Sequence, residues 1–327
     1  MSRMGTPACP VLFADEQECP SYDSIEEFLM CKFTTCLLLM LGCCSASNAA
    51  DWPTYRGDAA RSGYTAESLP EKLSHAWTYR PLHAPVPAWP RDDRMMFDLA
   101  NEVVVAGGLL FFGSAADCKV VALDAVTGQE RWTFFTDAPV RFAPAVWQDR
   151  VFVVSDDGFL YCLAASDGSL QKKWHGGQSD ELILGNGRMV SRWPARGGPV
   201  IRDGIVYFAA GVWQSEGVFI RAIDAKTGDD VWRNDEAGRI YMPQPHGGAM
   251  ANSGVSAQGY LVATEDQLLV PTGRAVPAGF ARRDGKFFGR DRHHYGNAFQ
   301  SHRRPRGVRC RGQGSDRLLD QFRPAVH

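Results

Sequence analysis

The sequence predicts an all-β chain assembled from repeated units of four short strands. Three observations carry this. An eleven-residue segment recurs with the same fixed positions, and each copy follows a turn pair and a short apolar run. The composition agrees: 33 glycines and 9 tryptophans in 327 residues suit turn-rich β structure with large wedging side chains. With 45% hydrophobic residues the chain can fill one or two packed domains, which excludes a small disulfide scaffold. Its 35 basic and 37 acidic side chains exclude, for the chain as a whole, a strongly basic nucleic-acid binder.

From the N-terminus, residues 1–29 hold six acidic side chains against Arg3 alone, unlike the short basic start of an export signal. They read as a spurious leader, with translation starting at Met30. Residues 30–49 read as a signal peptide. Lys32 precedes an uncharged stretch centred on Leu37-Leu38-Leu39-Met40-Leu41, and Ser47-Asn48-Ala49 offers small residues for cleavage. Thr34, Thr35, Gly42, Ser45 and Asn48 leave the apolar centre too short for a span of about 20 residues. Met40-Leu41-Gly42-Cys43 leaves a lipoprotein signal through Cys43 as a second form of the same reading. Most cysteines lie in this region; Cys118 and Cys162 of the body either pair or stay as buried free thiols.

Residues 50–280 hold the repeats. Residues 122–132 and 222–232 both match A-x-D-x-x-T-G-x-x-x-W, with Asp124, Gly128 and Trp132 in one and Asp224, Gly228 and Trp232 in the other. A degenerate copy ends in Asp167-Gly168 with Trp174 two positions late, and Arg283-Asp284-Gly285 is a poorer fourth. Gly107-Gly108, Asp149-Arg150, Asp203-Gly204 and Asp266-Gln267 each precede a short apolar run, as turns precede buried strands. A second strand follows in each, at 119–123, 159–163 and 218–223. The Asp then accepts local backbone N–H groups while Thr-Gly makes a tight turn, so turn chemistry explains Asp124 and Asp224 better than catalysis. The tryptophans wedge between neighbouring sheets. A blade of four strands needs about 40–45 residues. The reading is therefore a partial β-propeller, three clear blades plus part of a fourth, with irregular terminal segments. The excess length falls in two insertions rich in Gly, Pro and Arg, about 175–199 and 234–256, read as loops.

Residues 281–327 carry 12 basic against 4 acidic side chains, which leaves a net −10 for residues 1–280. Repeat rhythm ends there. The stretch reads as a disordered or out-of-frame tail rather than a nucleic-acid arm. An open arc whose first and last strands share no blade is expected to aggregate and to melt without cooperativity.

At these residues the chain resembles the pyrroloquinoline-quinone-type β-propeller repeat family, as an exported bacterial member that looks truncated. Trp52-Pro53-Thr54-Tyr55-Arg56-Gly57-Asp58 with Arg61-Ser62-Gly63 resembles the leading segment of such members. The family includes quinone-dependent alcohol dehydrogenases, outer-membrane assembly scaffolds and extracytoplasmic sensors. Its dehydrogenases are expected to carry a vicinal cysteine pair and acidic and amide Ca²⁺ ligands. Here the adjacent pair, Cys43-Cys44, belongs to the signal, and no ligand set is assigned.

Other constellations read blandly. His175-Gly176-Gly177 and His246-Gly247-Gly248 lack an accompanying G-x-S-x-G. H-E-x-x-H, paired C-x-x-C and P-loop signatures do not occur. Arg188, Arg192 and Arg196 around Trp193 form the one candidate binding surface, since Arg with Trp is frequent at interfaces. No catalytic, cofactor or metal residue is assigned. The function expected is a non-enzymatic scaffold or recognition protein of the periplasm or cell envelope. It binds a protein or other envelope ligand, without cofactor, nucleic acid or membrane span after signal cleavage. The alternative is a fragment of a pyrroloquinoline-quinone-dependent alcohol or sugar dehydrogenase using Ca²⁺.

Overall fold

A computed structural model of the chain describes residues 50–86, 100–185, 187–243, 250–252, 254–272 and 275–289. The leader, the signal, His246-Gly247-Gly248 and the tail beyond Gly289 lie outside them. Among the described residues no helix is long and apolar enough to cross a membrane.

The repeats form antiparallel sheets in chain order. The first holds β1 (Val103–Ala106), β2 (Leu109–Ser114), β3 (Lys119–Asp124) and β4 (Glu130–Phe135). The second holds β5 (Ala145–Trp147), β6 (Arg150–Val154), β7 (Phe159–Ala164) and β8 (Leu170–His175). A hairpin follows, β9 (Leu182–Gly185) with β10 (Arg188–Ser191). The third sheet holds β11 (Gly197–Arg202), β12 (Ile205–Ala210), β13 (Phe219–Asp224) and β14 (Asp230–Asn234). After a second hairpin, β15 (Tyr241–Pro243) with β16 (Met250–Asn252), strand β17 (Gly259–Tyr260) adds to β11 in parallel. The fourth sheet holds β18 (Val262–Ala263), β19 (Gln267–Thr272), β20 (Ala275–Ala281) and β21 (Phe287–Gly289).

The burial pattern explains why the runs are continuous rather than alternating. Val151, Phe152, Val153 and Val154 are all buried, because both faces of the middle strands are covered by neighbouring sheets. The outer strands β4, β8 and β14 are mostly exposed and each buries its Trp. The core accordingly consists of apolar layers between successive sheets. One cluster joins Phe111 and Trp132 to Val153 and Leu163, the next joins Phe152 and Trp174 to Phe208, and a third joins Tyr207 and Trp232 to Phe280.

The fourth unit, read as part of a blade, forms a four-stranded sheet that runs to Gly289. Both insertions contain hairpins rather than plain loops. In the first, Leu184 pairs with Met189 and Gly185 with Arg188 across the Asn186-Gly187 dipeptide, a strong hairpin signal in the sequence.

Candidate functional site

The repeat turns are built from their own residues. Asp124 Oδ1 accepts N–H bonds from Val126 (3.0 Å) and Thr127 (2.8 Å), and Asp224 Oδ1 those of Lys226 and Thr227, both 2.8 Å. These bonds, the Thr127 and Thr227 N–H groups foremost, hold both carboxyls below the usual carboxylate range. Each motif Trp then lies on the following unit. Trp132 Nε1 donates to Ala165 O (2.8 Å), Trp174 Nε1 to Gly228 O (3.0 Å) and Trp232 Nε1 to Arg282 O (2.6 Å). Their indoles cover Gly168, Gly228 and Gly285. Trp77 does the same over Gly128, donating to Ala125 O at 3.2 Å, so a fourth clamp precedes the first sheet. Nothing in the repeat spacing marked Trp77, because the motif residues that should precede it are missing.

The four residues proposed as a binding surface hold the molecule's own parts. Arg196 binds Asp156 through Nε (2.9 Å) and Nη2 (2.8 Å), and Arg141 Nε meets the same buried carboxylate at 2.7 Å. Arg188 Nη1 donates to Ala115 O and Ala116 O, both 3.1 Å. Arg192 spans Glu181 and Glu216. Trp193 is buried, gives its Nε1–H to Glu216 O (2.8 Å) and packs edge-on against Phe219. Asp157 lies beside Asp156 and accepts from Tyr161 Oη at 2.7 Å. Burial raises its carboxyl above the usual range against that bond. Cys118 and Cys162 are free thiols.

The structure instead exposes apolar side chains beside this cluster. In an in-order meander, the β2–β3 and β12–β13 connections fall at the same end as the links between sheets. Thr136 N–H to Cys118 O, Gly176 N–H to Gly158 O and Gly211 N–H to Pro194 O tie that end together. The β9–β10 hairpin stands there, held by Ser191 N–H to Asp156 O and by Arg192. On one face Ile183, 36% exposed, pairs with buried Val190, while Leu182, Leu184 and Met189 lie on the other face, Leu184 75% exposed. Trp213, in the β12–β13 connection, is 57% exposed.

A different set of residues meets at the inner strands. The segment 52–63, here called the strap, places Tyr55 flat on Tyr260, with centroids 3.8 Å apart and planes within 10°. Arg61 is buried and donates to Leu261 O (3.0 Å), Tyr55 O (2.9 Å), Pro199 O (2.7 Å) and Thr54 Oγ1 (2.5 Å). Burial pulls its guanidinium down to about 10, still a cation at neutral pH. The quinone that the family resemblance implies needs a flat slot, free cations for its carboxylates and a metal beside it. Here the rings are closed on each other and the cation is spent on carbonyls. Among the described residues no three His, Cys, Asp or Glu side chains gather as metal ligands. The hub does not fit that group.

Comparison with known proteins agrees with the architecture. The sequence profile described as "Outer membrane protein assembly factor BamB" matches residues 74–192. The quinohemoprotein alcohol dehydrogenase of Comamonas testosteroni is similar in structure, with TM-score 0.54 and 18% identity, over 72% of this chain and 40% of that one. BamB of Moraxella catarrhalis aligns with TM-score 0.31 and 17% identity, over 57% of this chain and 61% of that one. The chain thus spans well under half the length of the dehydrogenase. No curated protein matches by sequence. The family profile thus matches residues 74–192, and the described strands form an all-β partial propeller similar in fold to that dehydrogenase.

Proposed function

We propose that this chain is an exported, non-enzymatic propeller scaffold that binds a protein of the cell envelope without a cofactor. The observation that carries the reading is the β9–β10 hairpin, which leaves Leu182, Leu184 and Met189 exposed on one face. An isolated two-stranded hairpin is marginal in water. This one is anchored by Arg192 to Glu181 and Glu216, so its apolar face is held outward rather than collapsing. The matching family profile, described as that of an assembly factor, supports the same class. Export rests on residues 30–49. The Arg188, Arg192, Trp193 and Arg196 group then serves as the footing of the surface rather than its contact layer.

The test is site-specific photocrosslinking in cells, with a benzophenone side chain at Leu184, Met189 or Trp213. Val126 is the control, since it is 81% exposed in the β3–β4 turn at the opposite end. Crosslinks to one envelope protein from the first three sites, and not from Val126, are expected. Equal or no crosslinking at all four sites rejects the reading. The quinone-dependent dehydrogenase fragment remains the alternative, and dye-linked oxidation of alcohols or sugars lost on adding a chelator would favour it.

A further inference from the structure

The strap touches the innermost strand of every sheet. Trp52 and Val105 exchange backbone hydrogen bonds (2.7 and 3.0 Å), which extends the first sheet at its β1 edge. Val146 N–H of β5 donates to Pro53 O at 2.7 Å. Arg61 Nη2 reaches Pro199 O of β11 at 2.7 Å. Ala263 N–H of β18 donates to Ala59 O at 2.8 Å, and Arg61 Nε reaches Leu261 O beside it. Tyr260, on the strand added to β11, stacks on Tyr55, accepts from Ala143 N–H at 2.6 Å and donates to Glu102. The strap is also stiff in itself. Gly57 N–H bonds Thr54 O, Arg61 N–H bonds Asp58 O, Gly63 N–H bonds Arg56 O, and Asp58 Oδ1 accepts from Ser62 N–H.

Apart from the strap and Tyr260, successive sheets are joined pairwise among the described residues, each junction by a Trp clamp, an apolar layer and polar links such as Arg150 to Ala225 O and Arg282 to Asp203. A chain of pairwise contacts can open at any junction, as repeat arrays do when their interfaces weaken. One rigid element bonded to all four inner strands changes that. Breaking any junction then also breaks bonds made to the strap.

We propose that the strap is a self-supplied hub ligand. Tyr55 and Arg61 fill the central place that a planar quinone would need, and in doing so couple the four sheets into one cooperative unit. The expectation of non-cooperative melting, drawn from the open arc alone, is replaced by this inference.

The test is native-state hydrogen exchange on the full chain. The Val105, Val146 and Ala263 amides all donate to strap carbonyls, so each should be protected as strongly as Val153 within β6 and exchange only through global opening. Arg61→Ala should lower protection in all four sheets together and shift one melting transition downward. Exchange of those three amides like a fraying terminus, with the sheets still protected, overturns the proposal. So does an Arg61→Ala effect confined to residues 51–63. If Arg61→Ala does not fold, the wild-type exchange still decides. Equilibrium dialysis with pyrroloquinoline quinone and Ca²⁺ tests the filled hub, where stoichiometric retention would also overturn it. The crosslinking result is independent, since none of these strap contacts involves a residue of the hairpin.

Discussion

Gly168→Ala isolates the contribution of a Trp clamp. Gly168 has φ +72°, and a Cβ built there falls 2.5 Å from Trp132 Cε3 and 2.6 Å from Cδ2. The left-handed backbone alone costs an alanine about 1–2 kcal/mol. The indole must then shift, and overpacking of this kind costs about 1–3 kcal/mol. Trp132 Nε1 would also lose or lengthen its 2.8 Å bond to Ala165 O, worth about 1 kcal/mol. The sum is about 3–6 kcal/mol, a large part of the roughly 5–15 kcal/mol that holds a domain folded. Gly108→Ala is the control. Its φ is +76°, and nothing lies within 4 Å of the new Cβ, so only the backbone cost of about 1–2 kcal/mol applies. Urea unfolding of both variants, followed by Trp fluorescence, measures the difference. A gap of about 2–4 kcal/mol is expected from the packing and bond terms. Equal losses at the two sites would show that the indole yields freely and that the clamp contributes little.

Asp156→Ala removes the buried carboxylate shared by Arg141 and Arg196, and should cost about 3–5 kcal/mol in the same assay. Arg192→Ala should cost far less, because its pairs with Glu181 and Glu216 are open to solvent. Asp224→Asn should weaken the fold at neutral pH but not in acid. A carboxyl held below its usual range gives stability that is present above the unfolded-state pKa and lost as pH falls through the folded one. Asp157 has the opposite sign. Its raised pKa makes stability fall as pH climbs above about 4, so the Asp157→Asn variant should flatten that slope in pH-dependent melts. Burial pushes the Cys162 thiol up to about 11, so iodoacetamide should label it only after unfolding, as peptide mass mapping would show. Rapid labelling in the native protein would contradict the burial.

The sequence by itself determined the repeat architecture, because the residues that make it act locally. Asp124 caps its own turn, Thr127-Gly128 bends the chain back, and continuous runs such as Val151–Val154 can be satisfied only where both sheet faces are covered. The same local logic located the turn pairs and the middle strands to within a residue or two. Trp132 and Trp232 stood out because each sits at the same offset from its glycine, and Trp174 because it follows Gly168 two positions later than that. Tertiary structure decided everything that depends on distant partners. Arg188, Arg192 and Arg196 looked like a ligand surface until the fold brought Ala115, Glu216 and Asp156 beside them, at sequence separations no local rule reads. Trp77 became a clamp only when Gly128 arrived beneath it. Arg61 became the pin of the hub only when Pro199 of β11 and Leu261 of the β17–β18 link converged on it. A side chain's type sets what bonds it can make, but which carbonyl or carboxylate satisfies it is a property of the packed molecule.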